Sequence, residues 1–520
     1  MGRVRKDPPC KAQGQTTRRP VQPSNIVAMK QRVFTGFLVA LVIALISVAE
    51  LTAAATESRI PNPESRIPDE ATITHVLNRL TFGPRPGDVA KVRATGLTSW
   101  IDQQLHPERI DDAAATALLP AFEPAPASAD PRDLRRFARQ QIQSLAGEKI
   151  LRATYSERQL QEVLVDFWFN HFNVYAGKGR TAEYLAQYER EAIRPHVFDR
   201  FRDLLEADAK SPAMLFYLDN WLSADPNAPE RLAARRNSGF GTRDSKFRFG
   251  PRARRLRRIP NPQSRVPAAT QGAKRRRGLN ENYGRELLEL HTLGVDGGYT
   301  QKDIIEVARA FTGWTIDRDG TFRFVAALHD PGEKIVLGHK ITAGGGIEDG
   351  ETVLDILAAH PATAQHIAFQ LTQRLVADEP PAALVDRAAA RFRTTNGDLR
   401  EVVRTIVTSP EFLAVTVRDA KFKTPFTLVV STMRATGAAV SDTRALVQTL
   451  QQMGEPLYMC QPPTGYHNTA DAWLSAGGLV SRMNFATRLA SGNMSGVTVP
   501  ADAPSRDLAL RVGSPEFQRY

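Results

Sequence analysis

Apolar positions recur at three- and four-residue spacing over most of this chain, and that periodicity predicts a mainly α-helical fold. In residues 156–172, Leu160, Leu164, Phe167, Trp168 and His171 share one stripe, and Ser156 with Gln159 reads as a capping box ahead of it. Pro195 reads as the start of a second helix, whose face of Val197, Phe198, Phe201, Leu204 and Leu205 ends near Lys210. The same spacing predicts helices over 72–81, 87–105, 131–153, 181–193, 212–220, 280–293, 301–312, 350–359, 362–376, 383–395, 398–408, 424–436 and 443–453. One hairpin stands out, Trp314 to Val325, where Ile316, Phe322 and Phe324 alternate about the turn Asp319-Gly320. The expected architecture is a multi-helical single domain with one small β-hairpin.

The opening of the chain departs from that pattern. Arg32 precedes an apolar run from Val33 to Ala49, and Ala53-Ala54-Ala55 follows, so 29–55 reads as a signal peptide. The run falls short of the roughly 20 residues a spanning helix needs, which favours cleavage and confines membrane contact to this segment if it is retained. Residues 1–28 carry Pro and Arg without periodicity and read as an over-extended start before Met29. With only Cys10 and Cys460 there is no disulfide framework, cysteine-ligated zinc or iron–sulfur centre. The expectation is an exported bacterial protein, periplasmic or extracellular.

Charge changes the picture less than its total suggests. The chain of 520 residues carries a net +12, yet residues 1–33 hold +7 and residues 228–277 hold +14, leaving the rest at −9. Arg59–Pro68 (RIPNPESRIP) recurs as Arg258–Pro267 (RIPNPQSRVP), and prolines so placed favour extended linker. The predicted layout is a linker at 56–71, a helical domain at 72–490 interrupted by a basic disordered insertion at 228–277, and a tail at 491–520. Because the basic residues lie outside the folded body, no sequence-specific nucleic-acid partner is expected.

Several strings carry a resemblance. Gly278–Gly294 (GLNENYGRELLELHTLG), Phe167–Phe172 (FWFNHF), Tyr217–Asn220 (YLDN), Ala310–Trp314 (AFTGW), His329–Gly332 (HDPG) and His360–Ala364 (HPATA) together resemble the bacterial exported domain-of-unknown-function 1800 family, over about 72–490 apart from the insertion. The resemblance implies no established activity. Ser211-Pro212 stands where relatives often carry His-Pro, and the join between Asn220 and Gly278 is longer than theirs, which implies that the insertion loops out from the surface.

Candidate chemistry centres on helix 280–293. On a wheel, Glu281, Asn282, Arg285, Glu286 and Glu289 share a polar arc. Asn282, Glu286 and Glu289, at i, i+4 and i+7, suit a divalent cation or acid–base work, whereas Arg285 suits a salt-bridge network with Glu281 and Glu289. His291 faces away from both carboxylates, and His171 continues an apolar stripe as a core histidine would. His329-Asp330 heads a Pro-Gly turn that looks exposed, with Asp330 beside the imidazole. Tyr466-His467-Asn468 and Trp473 form a late polar-aromatic patch, suited to stacking a sugar or to closing the core. Two readings follow: a binding or assembly component of the envelope without a cofactor, with an envelope protein or polysaccharide as partner, or a metal-dependent hydrolase using Glu286, Glu289, His291 and His329 with Asn282, Arg285, His171 and Asp330 in support.

Overall fold

Periodic stretches become helices in the computed structural model, which describes residues 68–121, 130–229, 231, 278–500 and 505–520. These fall in one unit, Pro68–Tyr520. The apolar run 33–49, nearly all of both proline-rich copies and the arginine-rich stretches at 252–258 and 274–277 lie outside the described residues.

The longer helices are α1 (Glu70–Leu80), α2 (Asp88–Thr95), α3 (Leu97–Leu105), α4 (Pro131–Tyr155), α5 (Gln159–His171), α6 (Phe201–Lys210), α7 (Pro212–Tyr217), α8 (Glu281–Glu289), α9 (Gln301–Ala310), α10 (Ile347–Ala359), α11 (Pro361–Leu375), α12 (Ala382–Thr394), α13 (Leu399–Val407), α14 (Pro425–Thr436), α15 (Arg444–Gln452), α16 (Ala476–Ala490) and α17 (Ser505–Gly513). Their apolar faces meet in a continuous core, in which Trp168 of α5 lies against Phe172 and Phe201 and every side chain of α14 from Pro425 to Arg434 is buried. The predicted hairpin forms with Trp314 opposite Phe324 and Ile316 opposite Phe322, as β1 (Trp314–Ile316) and β2 (Phe322–Phe324). A second hairpin, β3 (Lys334–Val336) and β4 (His339–Ile341), turns on Leu337 and Gly338, both at positive φ; leucine there hides a turn that usually announces itself as Asn-Gly. A third pair, β5 (Ala439–Val440) with β6 (Val497–Thr498), and α17 give structure to the segment beyond 490, where no periodicity points to an element.

Three local expectations are corrected. The capping box does not form: Arg158 occupies the cap position of α5, the Ser156 hydroxyl donates to Asp112, and the Gln159 amide turns back onto the carbonyls of Ala153 and Ser156. Pro195 sits in a 3₁₀ turn, Arg194–His196, and α6 begins only at Phe201, although Val197 and Phe198 are buried as the face required. Residues 181–193 break into a 3₁₀ turn, a short α-helical turn and a π-helical stretch, Tyr188–Ile193, in which Tyr188, Glu189, Ala192 and Ile193 are buried.

The flanks of the insertion meet. Ala224 N–H donates to Gly278 O at 3.1 Å, and the Asn280 side chain donates to Leu218 O at 2.6 Å, closing the join below the point where the extra residues enter.

Candidate functional site

Helix α5 is apolar on most of its surface but carries Glu162, Asp166 and Asn170 at four-residue steps along one line. Glu162 is spent on a two-bond ion pair with Arg194. Asn170 and, just past the helix, Asn173 reach the loop that follows α15. Asn170 donates to Tyr466 O and accepts from Tyr466 N, both at 2.7 Å, while Asn173 donates to Cys460 O and Pro462 O. Tyr217 donates its hydroxyl to Gln461 O, and Ala176 N–H reaches Tyr458 O. Gly465 makes the approach feasible: its φ is +69°, and a Cβ there would stand 2.3 Å from Asn170 O.

This stitched loop divides a cleft into two chambers that share Phe167, Asn170, Tyr466, His467 and Asn468 as walls. The outer chamber, about 240 Å³, is lined by His171 from α5, Glu289 and Leu290 from the end of α8, His366, Gln370 and Gln373 from α11, and Thr464. The inner one, about 40 Å³, is water-sized and is reached by Lys149, Asp166 and Glu455.

Inside, Asp166 is held by Lys149 at 2.8 Å and Arg374 at 3.3 Å, and the Lys149 ammonium lies 5.3–5.5 Å from the ring centres of Phe169, Phe426 and Tyr458. Burial would lower the Lys149 ammonium, but Asp166 and Glu189 overcome it and leave the group raised. Glu455 accepts from Phe426 N at 2.7 Å; burial, reinforced by Asp166, nevertheless pushes its carboxyl up to about 7.

Histidines converge at the outer chamber. The His171 ring lies 6.1 Å from that of His366 and 6.5 Å from that of His291, and its Nε2 donates to His291 O. Burial, together with those two neighbours, holds His171 well below the usual imidazole range, and burial lowers His366, whose Nε2 has no partner. Behind them His291 is sealed, with Nδ1 3.6 Å from Asp208 Oδ2 and neither atom otherwise satisfied. Burial drives His291 down to about 3 and Asp208 up to about 8, which leaves a neutral pair able to share one proton.

The polar arc of α8 does not act as a unit. Asn282 and Arg285 are exposed, Glu286 is half-buried and raised by burial and by Glu289, and Glu289 alone lines the outer chamber, its carboxylate accepting from the Tyr299 hydroxyl. The expected Arg285 network is also corrected: Arg285 donates to Gln301, which donates to Glu281, so an amide bridges what charge was expected to join. His291, 1% exposed, and His329, 3% exposed, reach no cleft. Rather than heading an exposed turn, His329 lies between the Thr312 carbonyl at 2.9 Å and Asp349 at 3.1 Å, where Asp349 also receives Lys334 at 2.6 Å. Asp330 pairs with Arg309 instead of orienting the imidazole. Among the described residues no group of three His, Cys, Asp or Glu side chains has the geometry to hold a metal ion, and of Asn282, Glu286 and Glu289 only Glu289 lines the chamber.

Sequence reasoning missed Lys149, Asp166, Glu455, Asp208, His366, Gln370 and Gln373. A signal existed for Asp166 and Asn170, the polar line on an otherwise apolar helix, and for the Tyr466 loop, singled out by its composition. Glu455 and Asp208 lie among residues whose burial only the assembled fold defines.

Comparison with curated proteins and with solved structures finds no match. The family model described as "Protein of unknown function (DUF1800)" matches residues 75–518, the whole cleft included, and the chain therefore belongs to the DUF1800 family.

Proposed function

We propose that this chain is an exported bacterial envelope protein that binds a neutral, hydroxyl-rich ligand, a segment of glycan, in the outer chamber. Export rests on the basic, apolar and small-residue succession at 29–55. The ligand class rests on one observation, the lining of the outer chamber: His171, His366, Gln370, Gln373, Thr464 and Asn468 offer uncharged hydrogen-bonding groups beside Phe167 and Tyr466, with Glu289 as a single carboxylate already bonded to Tyr299. Amides and neutral imidazoles beside aromatic rings match the alternating hydroxyls and apolar faces of a saccharide, and they lack the cations an anionic ligand requires. The test is titration of the full chain with neutral oligosaccharides of envelope polymers, followed by ligand-observed NMR. Saturable binding weakened about tenfold by His366→Ala or Gln370→Ala supports the reading. Absence of binding across the set, or binding that neither variant alters, rejects it.

A hydrolytic reading has one observation in its favour, and it lies away from helix 280–293. Glu455, its carboxyl raised to about 7, lines the inner chamber with Asp166; that space holds a water and not a sugar ring, so the reading also requires the Tyr466 loop to move aside before a substrate bond reaches it. Release of reducing ends from a bound oligosaccharide, abolished in Glu455→Gln while binding persists, is the outcome it requires.

A further inference from the structure

Within ten residues, Leu474, Leu479, Val480 and Met483 leave 46%, 40%, 57% and 60% of their surfaces open to solvent. The last three share one face of α16, at i, i+1 and i+4, while Phe485, Ala486 and Leu489 bury the adjoining face. The helix cannot roll to hide the exposed side, because buried Arg482 fixes it, donating to Lys423 O at 2.7 Å and Gln518 Oε1 at 2.8 Å. Two features identify what covers this face. From Ala472 to Pro500 the chain contains no Asp or Glu, and Arg488 lies on the same helix, so the surface suits a negatively charged partner. Its exposed large residues are aliphatic or thioether, with Ala476 and Gly477 beside them, and Trp473 and Arg488 stand half-buried at its margin rather than exposed at its centre, where the anchor of a protein interface would sit. At its root Trp473 is half-buried and donates its indole N–H to His467 O, a placement that suits the boundary between water and hydrocarbon. No helix among the described residues is long and apolar enough to cross a membrane, which leaves shallow insertion.

We propose that the face formed by Leu474, Leu479, Val480 and Met483 docks onto an anionic lipid surface, with these side chains entering the acyl boundary and Arg488 at the headgroups. This contact is separate from residues 33–49 and independent of what the cleft binds. Since Trp473 leads from His467, docking would hold the mouth of the cleft close to the bilayer.

The experiment is co-sedimentation of the full chain with phosphatidylcholine vesicles, with and without phosphatidylglycerol, for the natural protein, for Val480→Asp/Met483→Asp and for Val480→Leu/Met483→Leu. All the changed side chains are exposed, and an unchanged melting temperature establishes that each variant folds. The expected result is partition that requires phosphatidylglycerol, falls roughly tenfold or more in the Asp pair and survives in the Leu pair. The proposal is overturned if the Asp pair partitions like the natural protein, which would assign binding to residues 33–49. It is equally overturned if vesicles are ignored, or if the Asp pair instead converts a dimer to a monomer, which would make a second copy the occupant.

Discussion

Asn170 holds Tyr466 through both halves of its carboxamide, so one short side chain carries a wall of the cleft. Replacing it with Ala removes two partly buried hydrogen bonds and leaves a backbone N–H and C=O without their protein partner; urea unfolding is expected to show a loss of about 1–2 kcal/mol, with Asn170→Asp recovering only part of it because a carboxylate cannot donate to Tyr466 O. Glu455 gives a pH signature. Its carboxyl rises from an ordinary 4.5 to about 7 on folding, so the native state holds that proton more tightly than the unfolded chain. The stability it contributes is complete below about 4.5 and is lost as pH climbs through 7. Depressed His171 and His291 act in the opposite direction, so the diagnostic quantity is a difference: Glu455→Gln, which keeps an acceptor for Phe426 N, should gain on the natural protein between pH 4.5 and 7, by at most about 3 kcal/mol. Denaturation curves at several pH values, subtracted pairwise, check it; a constant gap would mean that Glu455 is ionised throughout. At this scale the sequence was legible only where residue type betrayed itself, as at His171 and Tyr466. It misled at His329, where a Pro-Gly turn suggests exposure but Lys334 and Asp349 close over the ring.

Helices were the most legible elements, because burying one face against a core imposes a periodicity that survives in the sequence. The predicted stretches 362–376, 383–395 and 398–408 correspond to α11 (Pro361–Leu375), α12 (Ala382–Thr394) and α13 (Leu399–Val407) to within a residue or two at each end. Legibility failed where the backbone is set by tertiary contacts. The π-helical turn at Tyr188–Ile193 follows from bringing Tyr188 onto Asp208 and Glu189 onto Tyr458, and neither partner is near in sequence. Turns defined by backbone conformation are similarly hidden, and Gly465 is the instructive case. Gly465→Ala should place a Cβ against Asn170 O at a positive φ, costing about 2 kcal/mol or more and weakening ligand binding before it affects the helices. Ligand titration and far-ultraviolet circular dichroism on the same variant separate the two effects; parallel loss of both would show that the loop and the core unfold together.

For the whole molecule, charge bookkeeping and the bonded flanks point the same way. The larger basic stretch, 228–277, enters and leaves where Ala224 already meets Gly278. Replacing 232–277 with a short Gly-Ser linker should leave the melting temperature within a few degrees of the natural protein, since lengthening or shortening a closed loop costs little; a large fall would assign those residues a place in the core. The fold class and the strings that meet at the cleft could be read from the sequence, but the pairing of α5 with a loop nearly 300 residues later could not, because no local pattern encodes a partner that distant. The same long reach governs the first helix, α1: His75 bonds Phe412 O, Arg79 bonds Val417 O and lies 4.8 Å over the ring of Tyr520, and Tyr520 exchanges backbone bonds with Lys421. A ribosome delivers α1 more than three hundred residues before Phe412 and Val417, so during synthesis the bonds of His75 and Arg79 must wait for that distant stretch, although α2 and α5 already pack beside the helix. Such a chain completes its packing late, and until the distant partners emerge it keeps surface that a chaperone can hold.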